Sequence, residues 1–181
     1  MKQGLIIIDV QNDYFQGGNM ELVGMEVAAD NCQRLLNRFR EKQAPIFHIQ
    51  HLSIRPGSTF FVPDTDGCEI NQRVSPQADE AVLQKNFPNA FRDTELKEQL
   101  QAVGIEHLVV CGAMSHMCID ATVRAAFDLG YNNQLISDAC ATRDLKFEGR
   151  TVPASSVQDA FMASIHGLFA AVSTSDYFLE H

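Results

Sequence analysis

The stretch GAMSHMCIDATVRAAFDLGY, Gly112–Tyr131, carries the chain out of one regular element and into the next. Before it stands HLVVCGA, His107–Ala113, a short β-rich apolar run that reads as a buried strand. After the turn, a helix is expected from about Cys118 to Leu129, stopped by Gly130. The junction between strand and helix holds a cysteine, and the position of that thiol raises the question of what it does there.

Outward from this unit the same alternation recurs. Leu5–Val10, LIIIDV, reads as a first buried strand. Residues 26–42, with apolar Val27, Leu35, Leu36 and Phe39 set between charges, read as an amphipathic helix. Pro45 opens a second strand, PIFHIQH. Residues 52–80 are loop-like, punctuated by Pro56-Gly57, Pro63 and Pro76, and a loop of that length usually covers a site or an interface. A third strand is AVLQK, Ala81–Lys85, followed by the helix ELKEQLQAVG, capped by Asp93 or Thr94 and ended at Gly104. NQLIS (Asn133–Ser137) and LFAAVS (Leu168–Ser173) read as fifth and sixth strands, with the helix Ala154–His166 between them. Alternation of this kind specifies an α/β chain: a three-layer, Rossmann-like fold, with a six-stranded parallel sheet flanked by helices in a single domain over residues 1–181.

Composition narrows the partners. The hydrophobic fraction is 45% and the charged fraction 20%, as in ordinary globular domains. A formal net charge of -9 argues against nucleic acid and anionic membrane surfaces. No apolar run is long enough to span a bilayer, and MKQGLIIIDVQNDY lacks the features of a signal peptide. The five cysteines, at 32, 68, 111, 118 and 140, form no CxxC pair and no zinc-ligand spacing. With an odd count and no export signal, a cytoplasmic location with reduced thiols is expected. Leu179–His181, LEH, resembles the start of a purification tag and is given no functional meaning.

In parallel sheets ligands bind beyond the carboxyl ends of the strands. Asp9 ends the first strand, Lys85 ends the third, and Cys118 opens the helix after the fourth, so all three can converge on one crevice. A thiol at a helix N-terminus meets unpaired N–H groups and the positive end of the dipole, and a nearby lysine favours the thiolate further. Asp9 can take the thiol proton and return it to a leaving group. The turn before the cysteine can supply backbone N–H groups to an oxyanion. Taken singly, each has an ordinary reading: a packing cysteine, a turn or capping carboxylate, a solvated lysine.

The chain resembles the isochorismatase-like cysteine hydrolases over essentially its whole length. The carriers are LIIIDVQNDY, STFFVPDTDGCEINQRVSP, LQKNFPNAFRDTEL, CGAMSHMCIDATVRAAFDLGY and DACAT, in that order. The resemblance implies that Asp9 is a general base, Lys85 a catalytic lysine and Cys118 a nucleophile. It also implies a cis peptide bond joining Ala113 to Met114, with the amides of Met114 and Cys118 aimed at the oxyanion. The reaction implied is hydrolysis of a C–N bond in a small, amide-like molecule through a Cys118 thioester, with no cofactor, in a homodimer or homotetramer.

Departures from subfamilies narrow this further. Members that hydrolyse isochorismate, a vinyl ether, typically lack the cysteine, so Cys118 argues against that alternative. Nicotinamidases usually carry a metal site built on an Asp-x-His pair after the second strand; here the stretch reads His48-Ile49-Gln50-His51, without the aspartate. His48 and His51 are therefore read as one packed and one loop residue, and no metal is expected. Phe15, Phe61 and Phe91, with Phe60 and Phe87, are candidates for an apolar wall around substrate, and His116 for a polar contact; core packing and a solvent-facing turn explain them equally well. Asp120 and Arg124 read as a structural i,i+4 pair, and Asp13 and Asp138 as loop holders. Among other classes, a nucleotide-binding module lacks G-x-G-x-x-G after the first strand, and a phospho-acceptor domain would need an aspartate where Lys85 stands. A non-enzymatic thiol sensor built on Cys118 would lack an obvious resolving cysteine.

Overall fold

The structure is a computed structural model that describes residues 2–181. Its centre is β1, Gln3–Ile8, whose Leu5–Ile8 segment is buried on both faces, which is why the strand reads as an unbroken apolar run rather than an alternating one. Around it lie β2 (Ile46–His51), β3 (Ala81–Lys85), β4 (His107–Ala113), β5 (Asn132–Ala141) and, at the far edge, β8 (Ala171–Ser173). The order is β3-β2-β1-β4-β5-β8, and every neighbouring pair is parallel.

Alternate strand residues serve opposite layers. Leu5, Ile7, Val109 and Cys111 pack against α1, Met25–Glu41. Ile6, Ile8, Leu108 and Val110 pack against α2 (Leu96–Ala102), α3 (Asp120–Asp128) and α4 (Ala154–Ile165). The three-layer architecture follows from that period-2 division.

Several boundaries differ from the expectation. The apolar face of α1 is Met25, Ala28, Ala29, Cys32, Leu35, Leu36 and Phe39, a clean i, i+3, i+4 series; Val27 is out of phase with it and is exposed. In α2, the residue preceding the first turn is Glu95, while the Thr94 hydroxyl oxygen accepts from the Leu96 amide. The fifth strand runs on to Ala141, and the sixth is confined to three residues. An exposed hairpin, β6 (Leu145–Phe147) with β7 (Arg150–Val152), and a C-terminal helix, α5 (Ser175–Glu180), were not expected. α5 includes Leu179, which packs against the core and whose carbonyl accepts from Arg38, so two residues of the tag-like LEH lie within a docked helix.

One glycine is demanded where the site begins. Gly112 lies at φ 121 beside a register shift in the β4–β5 pairing, and a Cβ there would collide with the Ile8 carbonyl oxygen. Close passage of β4 over the end of β1 brings the turn after β4 against Asp9.

Candidate active site

Asp9, Lys85 and Cys118 meet beyond the carboxyl ends of β1, β3 and β4. Lys85 Nζ donates to Asp9 Oδ2 at 2.7 Å and to Cys118 Sγ at 3.2 Å, and both charged side chains are fully buried. Its third contact is His51 Nδ1, at 2.8 Å. The remaining carboxylate oxygen, Asp9 Oδ1, is buried without a hydrogen-bond partner among the described residues. Asp9, His51 and Cys118 offer ligand atoms within 4.8 Å of one another, a set that suits a soft divalent ion, but the ammonium donates to all three and stands where such an ion would. The chain supplies its own cation.

Charge states follow from burial and from these contacts. Burial alone would lower the Lys85 ammonium, but the Asp9 charge above all, with Cys118 beside it, outweighs burial, and its pKa is raised. Lys85 therefore carries its proton at neutral pH. His51 is lowered to about 4, by burial first and then by the neighbouring ammonium, so its imidazole is neutral and Nδ1 accepts. For Cys118 the expected activation is reversed. Burial and then the Asp9 charge push the thiol well above its ordinary value, and the opposing pull of Lys85 does not overcome them. One ammonium neutralises one anion; a second anion in the same buried space is disfavoured. The resting site is a thiol, a carboxylate and an ammonium.

The local geometry explains the placement. A single residue, Met114, separates β4 from a π-helical turn, Ser115–Ile119, which leads into α3. Cys118 is the fourth residue of that turn and buried, rather than the opening residue of an α-helix. The peptide bond joining Ala113 to Met114 is cis. Ser115 Oγ braces the turn against the Ala141 carbonyl and Gln158 Oε1, and His116 Nδ1 meets Thr142 Oγ1 at 2.6 Å. Arg124 pairs with Asp120 at 2.8 Å one turn further on.

The long segment 52–80 folds back over the site. Asp13 holds it: one carboxylate oxygen accepts from Asn19, the other from the Phe61 amide. Asp138 likewise accepts from the amide and hydroxyl of Ser175. Gln11, buried three residues beyond β1, accepts from the His51 amide and donates to the carbonyls of His51 and Cys68. A cavity of about 230 Å³ opens over Cys118, with walls that include Tyr14, Phe60, Phe61, Met114 and Met117.

Of the residues expected to touch substrate, Phe61 lines this cavity, as does Phe60. Phe15 lies apart in the core beside Arg73, Phe91 stacks on Tyr131, and His116 braces the turn. Loop spacing carries no information about which face a ring takes, so the sequence did not separate these. His51 was read as a loop or packed residue; it is the last residue of β2, touches Lys85 and lines the cavity. His48 is packed, with Nε2 2.9 Å from Glu80, which also binds Arg40.

The His51 shift makes stability depend on pH. Its folded pKa is depressed, so the stabilisation is present above about 6.5 and lost as pH falls toward 4, by at most about 3 kcal/mol. Thermal unfolding midpoints should therefore decline across that window, and His51→Gln should flatten the decline. An unchanged pH profile in the variant would show that His51 is not buried as a neutral ring.

A model of the isochorismatase domain matches residues 3–176. The chain belongs to the isochorismatase family. It is similar to the uncharacterized isochorismatase family protein YddQ of Bacillus subtilis (strain 168), 48% identical over 99% of this chain and 100% of that protein. A streptothricin hydrolase from Streptomyces noursei is 36% identical over 79% of this chain and 51% of that protein. A more distant relative, the ureidoacrylate amidohydrolase RutB of Serratia proteamaculans (strain 568), is 26% identical over 96% of this chain and 80% of that protein. Among solved structures, one described as an isochorismatase hydrolase from Oleispira antarctica superposes with a TM-score of 0.96, at 44% identity over 99% of this chain and 97% of that one. Members of the isochorismatase family are hydrolases, and among the described residues no helix is long and apolar enough to cross a membrane.

Proposed function

We propose that this chain is a cysteine hydrolase that cleaves the C–N bond of a small amide-like substrate, with Cys118 as nucleophile, Asp9 as general acid and base, and Lys85 holding both. The observation that carries the reading is the Lys85 ammonium bonded at once to Asp9 and to Cys118 beneath a cavity. Relatives named for amide and streptothricin hydrolysis support the reaction class.

The resting thiol gives the order of events. Asp9 takes the proton from Sγ as the sulfur attacks the carbonyl carbon, so no second anion accumulates. The carbonyl oxygen becomes an oxyanion, for which the amides of Met114 and Cys118 are the assigned donors. Asp9 then gives its proton to the nitrogen; the C–N bond breaks, ammonia or an amine leaves, and the acyl group remains on sulfur. Water attacks the thioester and loses its proton to Asp9. The C–S bond breaks, sulfur regains that proton, and a carboxylic acid departs. Throughout, Lys85 keeps its charge and faces whichever partner is anionic.

Acid quenching during turnover of a panel of small primary amides and carbamoyl compounds, followed by peptide mass mapping, should find the acyl group on Cys118 and on none of the four other cysteines, which are also buried. Product formation with Cys118 unmodified, retained in Cys118→Ala, would overturn the mechanism.

A further inference from the structure

We infer that the substrate carries an anionic group, a carboxylate or its chemical equivalent, held by Arg55 at the mouth of the cavity over Cys118. This rests on the cysteine-hydrolase reading and adds the substrate class to it.

The chain is acidic, with a formal net charge of -9, and its arginines are mostly spoken for. Arg34, Arg40, Arg73, Arg92, Arg124 and Arg150 each face a carboxylate, and Arg38 donates to the Leu179 carbonyl. Among the described residues, the Arg55 side chain has no such partner, although it lines the cavity. Among the described residues, no carboxylate lines that cavity. A guanidinium without a carboxylate, in a chain with a surplus of them, is placed where a ligand can supply one.

The surroundings agree. Arg55 itself is exposed to solvent at the rim, and the cavity walls are largely apolar, from Tyr14, Phe60, Phe61, Met114 and Met117. The Ser53 hydroxyl, in a residue that also lines the cavity, makes no hydrogen bond among the described residues, which leaves a neutral donor on the same segment. Ser58 Oγ donates at 2.7 Å to the Arg55 carbonyl, which fixes the backbone from which the guanidinium projects. Arg55 charge is felt at His51, on the floor of the site. Among the described residues, Arg143, two positions past the end of β5, is likewise without a side-chain partner, and its charge acts on Tyr14. The cavity lining thus presents the Arg55 cation to an incoming anion, on a chain of net charge -9. A substrate with an amide at one end and an anion at the other would lie with its amide at Cys118 and its anion at Arg55.

The test needs no knowledge of the substrate. Iodoacetamides are prepared with an N-alkyl chain of two to six carbons, ending either in a carboxylate or in a carboxamide. Each transfers its acetamide carbon to the Cys118 sulfur with loss of iodide and of the thiol proton. The rate at Cys118 is read by peptide mass spectrometry as a carboxylate-to-carboxamide ratio, which cancels any effect on the thiol itself. At one or more chain lengths the ratio should exceed that of a small free thiol. Arg55→Gln should lower it by about 10- to 100-fold, Arg55→Lys should restore part of it, and added salt should reduce it in the wild type alone. A ratio that Arg55→Gln leaves unchanged at every length, with Cys118 reactive, overturns the anion site and leaves the hydrolase reading standing. If Cys118 reacts with neither series even in Asp9→Asn, where the thiol faces the Lys85 ammonium without the opposing carboxylate, the nucleophile assignment falls and the substrate class falls with it.

Discussion

Cys118→Ala is expected to reduce amide turnover to the uncatalysed background, a loss on the order of 10⁵-fold or more in kcat, as removal of a covalent nucleophile does in enzymes that act through an acyl intermediate. The same variant should form no acyl-enzyme, and substrate should still bind, because the cavity walls and the Lys85–Asp9 ion pair do not depend on the sulfur. Cys118→Ser is the sharper comparison. It keeps a hydroxyl near Asp9 but raises the cost of forming the anion, and the resting thiol is already pushed up by burial and by the Asp9 charge. A serine should therefore behave almost as the alanine does. If the serine variant retained more than about a hundredth of the wild-type rate, deprotonation would not limit the chemistry, and the role given to Asp9 would need revision. Loss of a small buried side chain should leave the fold intact, and an unchanged far-ultraviolet circular dichroism spectrum and unfolding midpoint verify that.

Legibility of the sequence tracks how each residue is held. The central strands could be read because Leu5–Ile8 and Val109–Val110 are buried on both faces and their apolar character is continuous. Asp9 and Lys85 could be read because the last residues of parallel strands have no choice about which end of the sheet they occupy. The hairpin β6–β7 is almost wholly exposed and has no hydrophobic pattern to announce it. His51 and Gln11 were missed for another reason: their functional contacts join residues 34 and 40 positions apart, and only the parallel register of β2 against β1 and β3 creates them. One signal was available. His51 falls on the last residue of a strand next to the one bearing Lys85, and the β2–β3 register pairs those two residues directly. The charge state of Cys118 was the least legible feature, because helix-end position argues for a thiolate, whereas burial beside Asp9 decides for the thiol.

That reversal yields the second large effect, in which two measurements move apart. The Asp9 charge raises the Cys118 pKa, so Asp9→Asn removes an opposing anion and leaves the thiol facing the ammonium alone. Cys118 should then ionise at lower pH than in the wild type, and its alkylation at neutral pH should quicken. Hydrolysis should nevertheless fall by roughly 10³-fold, since no group remains to carry the proton to the leaving nitrogen or to accept one from water. Lys85→Met should move both measurements in one direction. Lys85 is the group that lowers the Cys118 pKa, so its loss raises the thiol further, slows alkylation and abolishes turnover. The variant also leaves Asp9 as a buried carboxylate without its partner, which costs stability by about 3–5 kcal/mol unless the carboxyl takes up a proton. An arrangement in which Asp9 merely positions Lys85 predicts something else: Asp9→Asn would then resemble Lys85→Met, with alkylation and hydrolysis both depressed. Alkylation rates of the two variants across pH 5–9, set beside their turnover, separate the arrangements. Faster alkylation with slower hydrolysis in Asp9→Asn identifies the carboxylate as the proton carrier of the reaction.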